Sequence, residues 1–198
     1  MVARIDELRE LVINKDFHIA AVTETWAKLD TVDAELSIPG YTMYRKDRTH
    51  DVYSKGGGVI IYVKDSLQSV PLTQLTNSEF NDSVWCQVQR DDFRLTIGTC
   101  YRSTSSTTNN NNELLNLLDK ATHHAARDHI LIMGDFNYPE LDYNSWTSPL
   151  NSENDSSRFF DKTHDLFLYQ HASDFTRVRA GQYQSKPDCV HRRGKCSR

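Results

Sequence analysis

A short apolar run that stops at a carboxylate and a carboxamide is the feature that most constrains the fold of this chain. The sequence HILIMGDFN (residues 129–137) reads as a buried strand ending in Gly-Asp-Phe-Asn. A second segment, HIAAVTETW (residues 18–26), repeats the pattern and leads to Glu24. Two buried strands that end in acids predict a metal site at one edge of a sheet. Mg²⁺ is the expected ion, because it binds one or two carboxylates together with waters and substrate phosphates.

The remaining pattern alternates helices and strands. Apolar residues at helical spacing predict helices over 3–14, 114–125 and 158–171. Runs of β-prone residues predict strands over 18–22, 41–44, 59–63, 84–89, 93–101 and 129–133, with a hairpin turn at 90–92. The polar segment 103–112 is typical of a flexible loop without chemistry. This order predicts a layered α/β (α+β) domain with largely antiparallel sheets.

Composition and charge exclude several classes of protein. The 198 residues fit one domain, and no apolar stretch approaches the roughly 18 residues of a membrane helix. Asp6 and Glu7 lie where a signal peptide would be apolar, so we expect no secretory signal. The net charge of -4 argues against a generic nucleic-acid binder, although the basic residues concentrate after residue 176. Cys86 and Cys100 lie in strand-like segments and are expected to be buried thiols.

Each candidate site residue has an ordinary interpretation when it is taken alone. Glu24 fits a solvated loop acid, and Asp135 and Asn137 fit turn formers. Tyr101 fits a packed residue at a strand end with its hydroxyl in water. The glycines at 56–58 lack the Lys-Ser/Thr of a nucleotide-binding loop and precede a strand, so we exclude that interpretation.

Taken together, the segments resemble a known family. The matching sequences are AVTETW (21–26), IPGY (38–41), GGGVIIY (56–62), YRS (101–103), IMGDFN (132–137) and FTR (175–177). In this order they resemble the endonuclease/exonuclease/phosphatase superfamily. More narrowly, they look like the apurinic/apyrimidinic-type endonuclease domain of non-LTR retrotransposon polyproteins. The resemblance implies a four-layer αββα sandwich and magnesium-dependent hydrolysis of DNA phosphodiesters.

The resemblance also implies roles for individual residues. Glu24 would hold Mg²⁺, with Mn²⁺ as an alternative ion. Asp135 would orient or deprotonate the attacking water. Asn137 would hydrogen-bond the phosphoryl oxygens, and Tyr101 would donate toward the transition-state oxygens. Preorganised donors of this kind are each worth about 3 kcal/mol.

Other implications concern the ends of the chain. Asp188 matches the family acid that orients a catalytic histidine, and Arg102 and Arg177 would contact nucleic acid. The family also has a first strand carrying an Asn and a late Ser-Asp-His, and neither motif is in this sequence. We therefore expect a domain over 1–190 that is truncated at both ends, residues from 183 onward without sheet partners, and a basic tail over 191–198.

Three functional alternatives stay open. The first is an active DNA endonuclease, once fused to a reverse transcriptase and working on nuclear DNA. The second is a catalytically dead fragment of the same fold that retains weak nucleic-acid or protein binding. The third is a phosphatase acting on a lipid or a small phosphate ester. The segments that include Glu24 and Tyr101 favour the retrotransposon endonuclease group over the phosphatase.

Overall fold

A computed structural model describes residues 4–28, 30–48, 56–141, 154–171 and 188–192. Its helices are α1 (Ile5–Asn14), α2 (Asp33–Leu36), α3 (Thr73–Thr76), α4 (Thr108–His124) and α5 (Asp155–Asp165). Its strands are β1 (Ile19–Thr23), β2 (Tyr41–Lys46), β3 (Val59–Lys64), β4 (Ser69–Pro71), β5 (Ser83–Arg90), β6 (Phe93–Tyr101), β7 (His129–Asp135), β8 (Tyr169–Gln170) and β9 (Asp188–Arg192). None of the described helices has the length and apolar character needed to cross a membrane.

The strands form two sheets. The smaller sheet has the order β1-β3-β2, and both pairs are antiparallel. The larger sheet has the order β4-β5-β6-β7-β9-β8. Its β6–β7 pair is parallel, because α4 carries the chain back across the sheet, and its other pairs are antiparallel. The predicted, largely antiparallel system is confirmed.

Three buried clusters separate four layers. Strand β3 shows the division, because Ile60 and Tyr62 pack with α1 while Val59, Ile61 and Val63 pack against the larger sheet. A third cluster, between the larger sheet and helices α4 and α5, includes Trp85, Leu114, Leu118, Ile130, Ile132 and Phe159. Alternate residues of a strand point to opposite faces. Because both faces of β3 are covered, its residues 59–63 are all buried, and only the last residue, Lys64, is charged. The predicted mixed α/β fold with stacked sheets is confirmed.

The helix predicted over 158–171 ends early, because α5 ends at Asp165 and Tyr169–Gln170 form β8. Two other predictions about segments were also wrong. The polar segment 103–112 is not all loop, because α4 begins at Thr108 and the hydroxyl of Thr107 accepts a hydrogen bond from the Asn110 amide (3.2 Å). A threonine at this position caps a helix by satisfying an amide that has no partner within the helix. The second error concerns residues after 183, since strand β9 pairs with both β7 and β8. Strand β9 also includes residues 191 and 192, which we assigned to a tail.

Candidate active site

The chain turns sharply after β1 and presents Glu24. Glu24 and Trp26 both have left-handed backbones, with φ of 52° and 56°. Between them, Thr25 is wholly buried. The amides of Thr25 and Trp26 donate to the carbonyls of Gly58 (3.2 Å) and Gly57 (3.1 Å). The three glycines at 56–58, which we call the glycine segment, therefore fix the position of Glu24.

Glu24 meets Tyr101 from the other sheet. The Tyr101 hydroxyl donates a short hydrogen bond to Oε1 of Glu24, 77 residues away in the sequence. Burial, followed by this hydrogen bond to the carboxylate and by the charges of Glu24 and Asp135, raises the pKa of Tyr101 well above its usual value. Tyr101 therefore keeps its proton at neutral pH and remains a hydrogen-bond donor.

Asp135 lies at the same sheet edge as Tyr101, because the parallel register of β6 and β7 pairs these two residues. One residue earlier, Gly134 pairs with Cys100, and a Cβ at Gly134 would overlap the Cys100 carbonyl oxygen. After the strand, Oδ1 of Asp135 accepts a hydrogen bond from the amide of Asn137 (3.2 Å). The Gly-Asp-Phe-Asn sequence thus combines a close strand approach with a turn that fixes the carboxylate.

Arg102 joins the ends of β6 and β7 through a buried hydrogen-bond network, which we call the Arg102 lock. Its side chain is buried, and its guanidinium donates to Oδ1 of Asn111 (2.8 Å) and to the carbonyls of Asn137 (3.0 Å) and Phe136 (3.3 Å). It also stacks 4.0 Å from the centre of the Tyr138 ring. The carboxamide of Asn137 returns a hydrogen bond to the Arg102 carbonyl (2.6 Å). Since all these partners are protein groups, the guanidinium positions the turn around Asn137.

Helix α4 supplies part of this lock. Asn111 accepts from Arg102 and donates through Nδ2 to Oδ2 of Asp155 (2.6 Å) at the start of α5. The segment that we predicted to carry no chemistry therefore contributes a buried polar residue next to the site. Sequence reasoning missed Asn111 because a run of asparagines is normally typical of loops.

Sequence reasoning also missed an ion pair beside the site. Nη2 of Arg48 lies 2.6 Å from Oδ2 of Asp82, whose Oδ1 accepts from the Gly58 amide (3.3 Å). The guanidinium lies 5.8 Å from the centre of the Tyr101 ring and occupies the space that a Cβ of Gly57 would fill. The hydrogen bond to Asp82 raises the pKa of Arg48, with smaller contributions from Tyr101 and Glu24. The three-glycine run was the available sequence signal, since it leaves room for this side chain.

Two predicted site residues remain, Asp188 and Arg177. Asp188 begins β9, and its backbone pairs with Gly134, so it lies at the same edge as Asp135. Arg177 lies outside the described residues.

Within the described residues, no group of three or more His, Cys, Asp or Glu side chains is arranged to hold a metal ion. Cys86 and Cys100 are buried free thiols, as predicted, and burial raises the pKa of Cys86 to about 12.

The fold and this constellation place the chain in a known class. A model of the endonuclease/exonuclease/phosphatase family matches residues 1–185, so the chain belongs to that family. No curated protein sequence matches it. Among solved structures, the endonuclease domain of TRAS1, a telomere-specific non-LTR retrotransposon, has a TM-score of 0.67 at 16% identity, covering 96% of this chain and 78% of that one. The predicted family resemblance is confirmed.

Two further structures share the fold. The catalytic domain of human Nocturnin has a TM-score of 0.58 at 12% identity, over 96% of this chain and 74% of that one. An AP endonuclease from Archaeoglobus fulgidus has a TM-score of 0.52 at 13% identity, over 95% of this chain and 81% of that one. At these identities the likeness concerns the fold.

Proposed function

We propose that this chain hydrolyses phosphodiester bonds of DNA with the help of Mg²⁺. The observation that carries the proposal is the hydrogen bond between Tyr101 and Glu24. It brings the ends of strands from two different sheets together, next to Asp135 in the paired register. Two carboxylates and a neutral phenol at the adjoining ends of these strands match what phosphodiester hydrolysis needs, namely a metal ligand, a base and a donor.

Glu24 is the residue that would hold the ion. One of its oxygens accepts from Tyr101, and the carboxylate has a second oxygen for a cation. A single carboxylate suits Mg²⁺, which keeps several waters and completes its shell with substrate phosphate. When bound, the ion supplies positive charge at the phosphoryl oxygens. Two observations support this assignment: the glycine segment holds the backbone that follows Glu24, and the preceding Thr23 pairs with Val59 of β3.

Asp135 is the proposed base. Its Oδ1 accepts a hydrogen bond from the Asn137 amide, which fixes the orientation of the carboxylate. Removing a positioned base usually lowers a rate by about 100- to 10,000-fold. The carboxamide of Asn137 has two N–H groups, of which one bonds to Arg102 and the second suits a phosphoryl oxygen.

Tyr101 is the proposed donor to the developing charge. It is protonated at neutral pH, and its position is fixed by Glu24. A fixed donor in a water-poor site contributes about 3 kcal/mol to transition-state binding. Asp188, whose backbone pairs with Gly134 at the same sheet edge, is the proposed orienting acid. Arg102 is a positioning residue, and we propose no nucleic-acid contact for it because its guanidinium is buried among protein acceptors.

Nicking of supercoiled plasmid tests the proposal. The purified chain should nick the plasmid with Mg²⁺ and lose that activity in EDTA. Asp135→Asn should lower the nicking rate at least 100-fold, whereas Asp92→Asn, at an exposed hairpin turn, should leave it unchanged. Glu24→Gln keeps an acceptor for Tyr101 but loses the charge, so it should raise the Mg²⁺ concentration required. Nicking by Asp135→Asn at the wild-type rate, or a folded wild type that does not nick, would overturn the proposal.

A further inference from the structure

Trp26 presents an exposed indole at the rim of the candidate site. It lies two residues after Glu24, 53% of its surface is exposed, and its backbone φ is 56°. A left-handed backbone is unfavourable for a residue with a bulky side chain. The packing of the protein therefore does not account for this residue, and strained residues of this kind cluster at ligand sites.

The glycine segment holds the indole in place. The Trp26 amide donates to the Gly57 carbonyl (3.1 Å), and the preceding Thr25 is wholly buried. A Cβ on Gly56 would lie 3.7 Å from the indole Nε1, so the segment passes directly beside the ring. A ring fixed in this way loses little freedom when a ligand stacks on it.

A cation borders the same segment. A Cβ on Gly57 would come within 2.5 Å of the Arg48 guanidinium carbon, so the indole and the guanidinium lie beside successive glycines. A flat aromatic ring is the platform on which the bases of single-stranded nucleic acids stack. Arg48 is ion-paired with Asp82, so the inference rests on the ring and not on this charge. A lipid or a small phosphate ester without a ring has nothing to stack on the indole.

We propose that Trp26 is a stacking platform for a nucleobase of the bound strand, which makes a nucleic acid the substrate of this site. The inference rests on the proposed function, because Glu24 marks the position of the scissile phosphate. Two residues span at most about 7 Å between α-carbons. The side chains of Glu24 and Trp26 add to this span. At about 3.4 Å per nucleotide along a stacked strand, the stacked base lies within a few nucleotides of that phosphate.

Binding of two labelled oligonucleotides tests the inference. One carries ordinary bases and the other carries abasic residues throughout, and both are measured by fluorescence anisotropy with Ca²⁺ in place of Mg²⁺. Trp26→Asn removes the ring and keeps a residue that tolerates the left-handed backbone. It should weaken binding of the base-bearing strand about tenfold and leave binding of the abasic strand unchanged. Trp26→Phe should retain most of the affinity.

Phe167→Asn is the matched control, since Phe167 is 63% exposed with a φ of 55° on the turn after α5. Both asparagine variants should be at least as stable to heat as the wild type, and only Trp26→Asn should lose affinity. Equal affinities of Trp26→Asn and wild type, or equal losses on both oligonucleotides, would overturn the inference. Plasmid nicking distinguishes a failure of this inference from a failure of the proposed function. Base-dependent binding without nicking refutes only the hydrolysis, and nicking with no effect of Trp26 refutes only the stacking.

Discussion

Replacing Gly134 with alanine tests the geometry that places Asp135. The added Cβ would overlap the Cys100 carbonyl oxygen and lie 2.9 Å from the Cys100 carbonyl carbon. Both atoms belong to the backbone of the neighbouring strand, so no side chain can move aside. Gly134 also has a φ of 154°, which alanine rarely adopts. Strands β6 and β7 would have to separate at the residue that precedes the proposed base.

The expected cost follows from these two effects. Backbone strain of this kind costs about 1–3 kcal/mol, and overpacking costs about 1–3 kcal/mol. We expect Gly134→Ala to lower the free energy of unfolding by about 4 kcal/mol. In a domain of this size about 1 kcal/mol corresponds to 2–4 °C in Tm, so Tm should fall by about 10 °C.

Gly40→Ala is the matched control. Gly40 also has a positive φ, 81°, but a Cβ there would meet nothing within 4 Å. Its substitution should therefore cost only the backbone strain, about 1 kcal/mol, or 2–4 °C in Tm. Thermal unfolding followed by circular dichroism measures both variants. At a temperature where both are folded, Gly134→Ala should nick plasmid about 100-fold more slowly, because a displacement of about 1 Å costs that much. If Gly134→Ala matches Gly40→Ala in Tm and activity, the close approach of the strands is refuted.

Three other substitutions probe the site and the core. Tyr101→Phe should lower the nicking rate about 100-fold. The pH profile of nicking should not change between pH 6 and 9, because the raised pKa of Tyr101 keeps the wild-type phenol protonated there. A changed profile would contradict that protonation state. Arg102→Lys keeps the charge but loses the guanidinium hydrogen bonds to Asn111 and to the backbone carbonyls. Its free energy of unfolding in urea should fall by about 2 kcal/mol, and an unchanged urea midpoint would refute the structural role of Arg102. Tyr62 is buried, donates to the Leu36 carbonyl (2.7 Å) and has a pKa raised to about 12. The neutral Tyr62 phenol stabilises the folded state fully below about pH 10, where unfolded tyrosine titrates, and this stabilisation is lost as the pH rises through about 12. Tyr62→Phe should therefore lose less stability than wild type between pH 9 and pH 11, measured by urea midpoints, and equal losses would argue against this linkage.

Six of the nine described strands were predicted because their patterning is local, whereas β4, β8 and β9 were not predicted. Strand β3 is a β-prone run up to its last residue, Lys64, and the β5–β6 hairpin alternates around residues 91 and 92. Both were therefore predicted within one or two residues of their bounds. Helix α4 was predicted to begin too late, because asparagines have poor helix propensity and Asn111 is stabilised by contacts with Arg102 and Asp155. Such contacts between distant parts of the chain leave no periodic signal in the sequence.

The candidate site divides in the same way. The sequence predicted Glu24, Tyr101, Asp135 and Asn137 as site residues through the family resemblance, and its local pattern placed each of them at or after the end of a recognisable strand. Only the tertiary structure decided that Tyr101 bonds to Glu24 across two sheets, since that contact depends on how the sheets stack. It also decided that Arg102 faces inward, where three protein acceptors compensate the burial of its charge. The sequence determined which groups end the strands, because patterning is local; the structure determined their partners, because packing joins residues that are far apart in the chain.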